Sequence, residues 1–325
     1  MEQNILEIRH LCTSLFTEKG ELKAVNDVSL SVAAGKIVGI VGESGCGKSM
    51  LARTVMGLIP SPGKLVSGEI LLAGRDLARL SRREYCAIRG KELSMIFQDP
   101  MTGLNPVMTV GKQVKEAIRL HSAVSAAEAE RRTIEIFESV GIPDPEKRLR
   151  DYPHQLSGGL RQRALIAMAM VCQPRLLIAD EPTTALDVTV AAQILRLMRE
   201  LCEKGTSILL ISHNLGVIAQ TCDDIYVMYA GSIVEHADPV TLFEAPVHPY
   251  TRGLMNAVAA LNRNETVLET IRGVVPNLLH LPAGCAFSLR CDQCGKDCAD
   301  RFPEMHSIRP GHEVRCHLAG GKEGA

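Results

Sequence analysis

The chain of 325 residues carries 36 lysine and arginine residues against 37 aspartate and glutamate residues, and 46% of its residues are hydrophobic. Such a near-neutral chain is not expected to bind nucleic acid or an anionic membrane through bulk electrostatics, and its apolar content argues against disorder. Its apolar stretches fall far short of the ~20 residues that cross a bilayer. The start, with Glu2 and Glu7, lacks a secretory signal, so we expect a protein of the reducing cytosol.

Strands and helices alternate along most of the chain. Residues Asn26 to Val32 alternate in polarity, which predicts a half-buried strand, and the apolar run from Lys36 to Val41 predicts a buried one. A helix is expected to begin near Met50. Further along, Val110 to His121 and Ala126 to Val140 are predicted to be helices of an insertion between two parts of a sheet.

Two more short apolar runs, Leu176 to Ala179 and Ser207 to Ile211, predict additional strands. A helical pattern from Val190 to Leu201 separates them, so they are expected to be parallel. This alternation indicates an α/β fold with an open sheet. After Ile233 prolines are frequent and no long periodic segment is apparent, so the tail is expected to need another source of order.

A glycine-rich motif connects the second predicted strand to the helix after it. It fits G-x-x-x-x-G-K-[ST] and consists of Gly42, Glu43, Ser44, Gly45, Cys46, Gly47, Lys48 and Ser49, with Met50 next. Its backbone N–H groups are expected to bind phosphate oxygens, while Lys48 bridges two phosphates and Ser49 ligates Mg²⁺. The same N–H groups should favour a thiolate at Cys46, so we expect its alkylation to block ATP binding.

The strand predicted at Leu176 to Ala179 ends in Asp180 and Glu181. Downstream of a phosphate loop, Asp180 is a candidate metal ligand and Glu181 a candidate for polarising the attacking water. Gln98, where the sheet meets the insertion, is a candidate for contacting metal and water, with a surface amide as the alternative. His213, after the next strand, is a candidate γ-phosphate sensor, with a structural histidine as the alternative.

The order of these motifs carries a family resemblance. Leu156-Ser157-Gly158-Gly159-Leu160 lies after the phosphate loop and Gln98, and before the acidic pair and His213. Together they resemble the nucleotide-binding subunits of ABC transporters over about residues 5 to 235. The resemblance implies an ATPase with a P-loop NTPase core of the RecA type and a helical subdomain.

The resemblance also implies that two such subunits enclose two ATP molecules. Ser157, Gly158 and Gly159 of one subunit would contact the γ-phosphate bound by the other, because a hydroxyl and N–H groups at a helix start form an anion site. Phe16 would stack on adenine, with a core phenylalanine as the alternative. The segment Ala185-Leu186-Asp187 matches the loop that couples the two sites.

Two positions depart from the family pattern. Leu160 stands where glutamine is most frequent, and Asn214 stands where aspartate usually follows the histidine. Neither position supplies a main phosphate contact, so hydrolysis is expected to survive.

Further segments of the chain restrict the resemblance to one subfamily of these ATPases. The segments 98–106, 152–157 and 248–254, with the cysteines downstream, are similar to the ATPases of dipeptide, oligopeptide and nickel importers. This implies a motor subunit at the cytoplasmic face of the inner membrane. Its partners would be a second ATPase subunit, identical or a sibling, two transmembrane permease subunits and an extracytoplasmic solute-binding protein, with no nucleic acid. The solute stays open.

Within this resemblance the expected domains are an ABC ATPase domain at residues 1–240, with the helical subdomain at about 99–160, and a small irregular cysteine-rich C-terminal region at 241–325. An alternative is a metal- or redox-responsive ABC-type ATPase that is not dedicated to transport. Another is an ABC-type ATPase acting on DNA or ribosomes, but this near-neutral chain lacks the basic surfaces that it would need.

Five of the 11 cysteines fall in the tail. Cys285, Cys291, Cys298 and Cys316 offer four thiolates, enough for a [4Fe–4S] cluster or a tetrahedral Zn²⁺, and Cys294 is a further candidate. Their spacing resembles the cluster-binding tail of some peptide-importer ATPases, which favours iron and sulfur over zinc or unligated thiols. Such a metal would give the proline-rich tail a centre around which to fold.

Overall fold

The computed structural model describes residues 3–99, 103–184, 186–262 and 271–319. They form two compact units. The first unit takes its residues from positions 1–6, 32–37 and 79–211, and the second takes its residues from positions 7–31, 38–78 and 212–325. In this part of the chain no helix combines the length and the apolar character that a membrane span requires.

The described elements alternate in the order expected of an α/β protein. The strands are β1 (Asn4–Thr17), β2 (Gly20–Ala33), β3 (Ile37–Val41), β4 (Gly63–Leu72), β5 (Arg75–Asp76), β6 (Leu93–Ile96), β7 (Leu176–Asp180), β8 (Ser207–Ser212), β9 (Asp224–Tyr229), β10 (Ser232–Ala237), β11 (His306–Arg309) and β12 (His312–Val314). The helices are α1 (Lys48–Val55), α2 (Arg82–Ile88), α3 (Val110–His121), α4 (Ala126–Ser139), α5 (Pro145–Arg148), α6 (Gly158–Met170), α7 (Val188–Glu203), α8 (Leu215–Thr221), α9 (Pro239–Glu244), α10 (Pro249–Asn262) and α11 (Lys296–Asp300).

In the first unit, β6, β7 and β8 are parallel neighbours in that order, and every residue in them is buried. Continuous apolar strands of this kind are typical of a parallel sheet whose two faces are covered. The prediction that the strands at 176–179 and 207–211 are parallel is confirmed. Helix α7 lies between them in the chain and turns Ile194, Leu197 and Met198 inward.

The insertion helices of the first unit are also confirmed. Helix α3 has the predicted bounds, and α4 ends at Ser139, one residue before the prediction. Ser125 caps α4 because its hydroxyl accepts the N–H of Glu128.

In the second unit, β3 pairs with β9 in parallel, and β10 and β12 continue antiparallel from β9. A separate sheet has the strand order β2-β1-β4-β5. The predicted strand at 26–32 is the end of the longer β2, in which Val28, Leu30 and Val32 are buried as expected. Helix α1 begins at Lys48 rather than near Met50, because the phosphate loop turns into helix at Gly47.

The tail differs from the expectation that it contains no long regular segment. Helix α10 has 14 residues, and β12 pairs with β10. The tail is also anchored by polar contacts: the guanidinium of Arg315 donates to Asp27 at 2.9 Å, and the ring of His312 lies 2.8 Å from the carboxylate of Glu235. The prolines concealed this order because α10 begins at Pro249, a position where proline is compatible with a helix.

Candidate nucleotide site

The phosphate loop in the second unit has the backbone that its glycines predict. Gly47 has φ +108°, and a Cβ there would lie 2.1 Å from the carbonyl oxygen of Ala24. Gly42 is equally restricted, since its Cβ would lie 2.1 Å from the carbonyl oxygen of Met228. Gly47 is the residue before α1 and provides no side-chain cap, so no side chain at that position covers the start of the helix.

Lys48 is buried and its ammonium group is held by the loop itself. Its Nζ donates to the carbonyl oxygens of Gly42 at 2.7 Å and Glu43 at 2.9 Å, and lies 3.7 Å from the Sγ of Cys46. The loop therefore keeps a desolvated cation beside its backbone amides. A cation in this setting attracts phosphate far more strongly than an exposed lysine does.

The prediction of a thiolate at Cys46 is wrong. Its side chain is fully buried, and burial raises the pKa of the thiol despite the nearby Lys48 ammonium, which lowers it. The sulfur points into the packed base of the loop, where a Cβ on Gly42 would meet it at 2.9 Å. Cys46 therefore contributes packing and backbone groups to the loop, and alkylation is not expected to reach it readily.

Glu43 makes contacts that the sequence did not predict. The guanidinium of Arg290 donates to its carboxylate at 2.8 and 3.2 Å, and its backbone N–H donates to the hydroxyl oxygen of Tyr250 at 2.9 Å. Tyr250 lies in the 248–254 segment, which sequence reasoning used only as a subfamily marker. No sequence motif marks Arg290 as a contact of the phosphate loop, because only the fold brings the two together.

Two other predicted nucleotide contacts lie in the second unit. Phe16, near the end of β1, is 45% exposed, and the Lys64 ammonium lies 5.8 Å from its ring centroid, so the alternative of a core phenylalanine is wrong. His213 is exposed immediately after β8. Asn214 caps α8 by accepting the N–H groups of Gly216 and Val217, which shows how this departure from the family pattern is accommodated.

The acidic pair lies in the first unit at the end of β7. Asp180 is buried, and the carboxylate of Glu181 accepts hydrogen bonds from Gln98 Nε2 at 3.0 Å and Thr184 Oγ1 at 2.9 Å. Glu181 has φ +47°, an uncommon backbone for a residue with a Cβ, and its N–H donates to the carbonyl of Ile211 at 2.9 Å. The structure thus brings Gln98 and Glu181 together, and Thr184 is a partner that the sequence did not reveal.

The Ser-Gly-Gly motif also lies in the first unit, at the start of α6. Ser157 is exposed and its hydroxyl accepts the N–H of Leu160 at 3.4 Å, a long capping bond. Gly158 is exposed, while a Cβ on Gly159 would lie 2.9 Å from Val190. The predicted coupling loop ends with Asp187, which caps α7 through the N–H of Val190, whereas Ala185 lies outside the described residues. So do residues 100–102 of the segment that follows Gln98.

Comparison with known proteins identifies the family. Residues 25–184 match the family model "ABC transporter", and residues 234–298 match "Oligopeptide/dipeptide transporter, C-terminal region". The probable peptide ABC transporter ATP-binding protein y4tR of Sinorhizobium fredii is 49% identical over 96% of this chain and 94% of that protein. The oligopeptide transport ATP-binding protein AppD of Bacillus subtilis is 45% identical over 97% and 96%. The chain belongs to the ATP-binding proteins of the ABC transporter family.

A solved structure of the same type is the dimeric post-hydrolysis state of the ATP-binding cassette MJ0796 bound to ADP and Pi. It is 25% identical, covers 72% of this chain and 98% of that chain, and has a TM-score of 0.65. The predicted fold class, an α/β ABC cassette on a P-loop NTPase core, is therefore confirmed, as is the assignment of an ABC-type ATPase. The relatives, similar over almost the whole chain, give no support to an ATPase that is not dedicated to transport.

The metal site predicted in the tail of this ABC ATPase is not confirmed. All 11 cysteines are free thiols, and in the part of the chain that the structure covers no three ligating side chains converge on a metal ion. Cys285, Cys291, Cys298 and Cys316 are nevertheless neighbours. The pKa of the Cys285 thiol is raised to about 11, mainly by burial and also by the sulfurs of Cys298, Cys316 and Cys291. Cys294 is exposed.

Proposed function

We propose that this ABC ATPase is the motor subunit of a peptide importer, coupling ATP hydrolysis to the entry of dipeptides or oligopeptides. The supporting observation is similarity over almost the whole chain to ATP-binding proteins of peptide transport, including a C-terminal region of the oligopeptide/dipeptide type. These relatives favour peptides as the solute, and nickel is the second candidate because the subfamily resemblance includes nickel importers. A domain boundary near residue 240 fits this proposal.

For the phosphate loop we propose the roles that its geometry supports. The amides of residues 45–49 bind phosphate oxygens, and Lys48, whose ammonium is positioned by two loop carbonyls, contacts the β- and γ-phosphates. Phe16 is an exposed aromatic ring suited to stacking on adenine. His213 contacts the γ-phosphate, and Ser157, Gly158 and Gly159 contact the γ-phosphate of a second subunit.

For the acidic strand end we propose that Glu181 polarises the attacking water, with Gln98 and Thr184 fixing its carboxylate. Ser49, Gln98 and Asp180 supply oxygen ligands of the kind that Mg²⁺ prefers. Bound Mg²⁺ would neutralise phosphate charge.

We propose that the working assembly contains a second ATPase subunit, identical or a sibling, two transmembrane permease subunits and an extracytoplasmic solute-binding protein. The chain would sit at the cytoplasmic face of the inner membrane, held through the permease. The dimeric state of the related cassette supports the first of these partners.

We further propose that Cys285, Cys291, Cys298 and Cys316 hold a [4Fe–4S] cluster that orders the tail. Four neighbouring thiols are the donor set for such a cluster. Anaerobically purified protein should absorb at roughly 400 nm, and Cys298→Ser should lose that band while Cys294→Ser keeps it. Colourless protein containing zinc would reject iron.

The motor role is tested by expressing the chain with its candidate permease subunits and binding protein in membrane vesicles. ATP should then drive uptake of labelled tripeptide, and Lys48→Ala should stop both uptake and hydrolysis while leaving the subunits associated. Uptake of Ni²⁺ in place of peptide would favour the second candidate. Failure of the chain to co-purify with any permease subunit would overturn the proposal.

A further inference from the structure

We propose that Arg290 and Tyr250, both from the C-terminal region, are positioning residues that hold the phosphate loop in its nucleotide-binding shape. The inference rests on the proposed binding of MgATP by the loop. It gives the C-terminal region a direct part in nucleotide binding, through contacts with Glu43 that involve no phosphate-binding atom.

Glu43 is fixed on three sides. Its carboxylate accepts from two nitrogens of Arg290, its N–H donates to Tyr250, and its carbonyl accepts from the ammonium of Lys48 at 2.9 Å. The first two partners belong to the C-terminal region and the third belongs to the phosphate loop. Glu43 therefore connects the C-terminal region to the phosphate loop.

The position of Glu43 determines where Lys48 can lie. The carbonyls of Gly42 and Glu43 together seat its Nζ, at 2.7 and 2.9 Å. If the peptide between these two residues turned, their carbonyl oxygens would move. The Lys48 ammonium that is to contact the phosphates would move with them. Misplacing such a preorganised cation weakens its attraction for phosphate, because the loop must then reorder on binding.

Arg290 is built to hold its position. Its side chain is 6% exposed, and the paired contacts with Glu43 have the two-pronged geometry that only arginine offers a carboxylate. The remaining guanidinium N–H groups donate to the carbonyls of Arg272 at 2.8 Å and Ile271 at 3.3 Å and to the Tyr229 hydroxyl at 3.3 Å. Because these acceptors fix the Arg290 guanidinium within the C-terminal region, the position of that region determines where Glu43 of the loop lies.

Three aromatic side chains pack beside the contact between Arg290 and Glu43. Tyr229 and Tyr250 have ring centroids 4.6 Å apart, and Phe287 meets Tyr229 edge-on at 5.2 Å. Phe287 precedes a single short helical turn, Arg290 is the last residue of that turn, and Cys291 follows it directly. The fold of the cysteine-bearing segment therefore sets where the Arg290 guanidinium lies.

The test compares Arg290→Gln with the parent in two measurements, the Kd for a fluorescent ATP analogue with Mg²⁺ and the KM and kcat for MgATP hydrolysis by the full chain. We expect Kd and KM to rise about tenfold with kcat changed by less than about twofold. Arg290→Lys should restore part of the affinity, because lysine keeps the charge and loses the paired geometry. Tyr250→Phe, which removes only the acceptor of the Glu43 N–H, should raise Kd by a smaller factor.

Arg309→Gln is the matched control. Arg309 is an exposed arginine of the same C-terminal region whose side chain donates to Thr241, so its loss should leave Kd unchanged. The double variant with Glu43→Gln and Arg290→Gln should bind no more weakly than the worse of the two single variants, because both remove one interaction. Thermal melts of each variant separate loss of affinity from loss of fold.

If Arg290→Gln is folded and binds MgATP with the parental Kd, the inference is wrong. It is also wrong if Kd changes only in step with melting temperature, or equally in the Arg309 control. Should Arg290→Gln fail to fold, Arg290→Lys and Tyr250→Phe decide the question by the same criteria. Lys48→Ala binding nucleotide normally would instead refute the proposed role of the loop.

Discussion

The side-chain amide of Gln98 donates a hydrogen bond to the carboxylate of Glu181 over 3.0 Å, and the hydroxyl of Thr184 donates to the same oxygen at 2.9 Å. One oxygen of Glu181 is thereby occupied, which fixes the direction of the other. A carboxylate that is to act as a general base must be held in one orientation, and two neutral donors orient it without protonating it.

Glu181→Gln should lower kcat for ATP hydrolysis by about 100-fold or more while leaving MgATP binding intact, because an amide cannot take a proton from water. Steady-state hydrolysis and nucleotide retention on a filter measure the two effects. Thr184→Val is the milder companion, expected to lower kcat by less than about tenfold, since Gln98 still holds the carboxylate. Turnover at the parental rate by Glu181→Gln would remove this residue from the mechanism.

Cys46 should react more slowly with a maleimide than Cys86, because its thiol is buried and its pKa is raised, whereas Cys86 is exposed. Quantitative mass spectrometry of partially labelled protein gives the relative rates, and we expect a difference of at least about 100-fold. The Cys86→Ser variant provides the control for assigning the fast phase. Equal rates at the two cysteines would mean that the base of the loop opens in solution.

Glu235 is a second buried carboxylate whose partners define a prediction about stability. It accepts from the N–H groups of Val247 and His248 and faces the ring of His312, so Glu235→Ala leaves buried donors without an acceptor. We expect a loss of about 3 kcal/mol or more in unfolding free energy by urea titration. Glu304→Ala, an exposed change in the same region, should cost less than about 0.5 kcal/mol. A parental urea midpoint for Glu235→Ala would contradict this account of the tail.

The parts of the fold that could be predicted are those set by local pattern. Helix α3 appears at its predicted bounds because Val110, Val114 and Ile118 form one apolar face, and β7 and β8 are short apolar runs that only a covered sheet accommodates. The phosphate loop was predictable for a similar reason, since its glycines meet steric limits that any sequence with this function shares.

What could not be predicted depends on contacts between residues far apart in the chain. Arg290 and Glu43 are separated by 247 positions, and neither local sequence predicts a contact with the other residue. Cys46 was misjudged because the motif indicates N–H groups around the sulfur but does not reveal that the side chain is completely desolvated. Burial is a property of the packed unit, and it reverses the expected direction of the pKa shift.

His248 makes the stability of the fold depend on pH. It is buried just before α10, and burial, helped by Arg252, lowers the pKa of its imidazole from 6.5 to about 3. Below pH 6.5 the imidazole of His248 therefore binds a proton in the unfolded chain but not in the folded chain. The free energy of unfolding falls for this reason as pH falls from 6.5 towards 3. Between pH 7 and pH 5 the reduction amounts to about 2 kcal/mol.

His248→Asn removes the titration while keeping a side-chain acceptor for the N–H of Tyr250, which His248 Nδ1 accepts at 3.1 Å. The variant should be less stable than the parent at pH 7, because asparagine fills less of the site, but it should lose about 2 kcal/mol less on going to pH 5. Urea titrations of both proteins at the two pH values give the four free energies. Parallel losses in parent and variant would show that His248 takes up its proton in the folded chain, against the burial described for it.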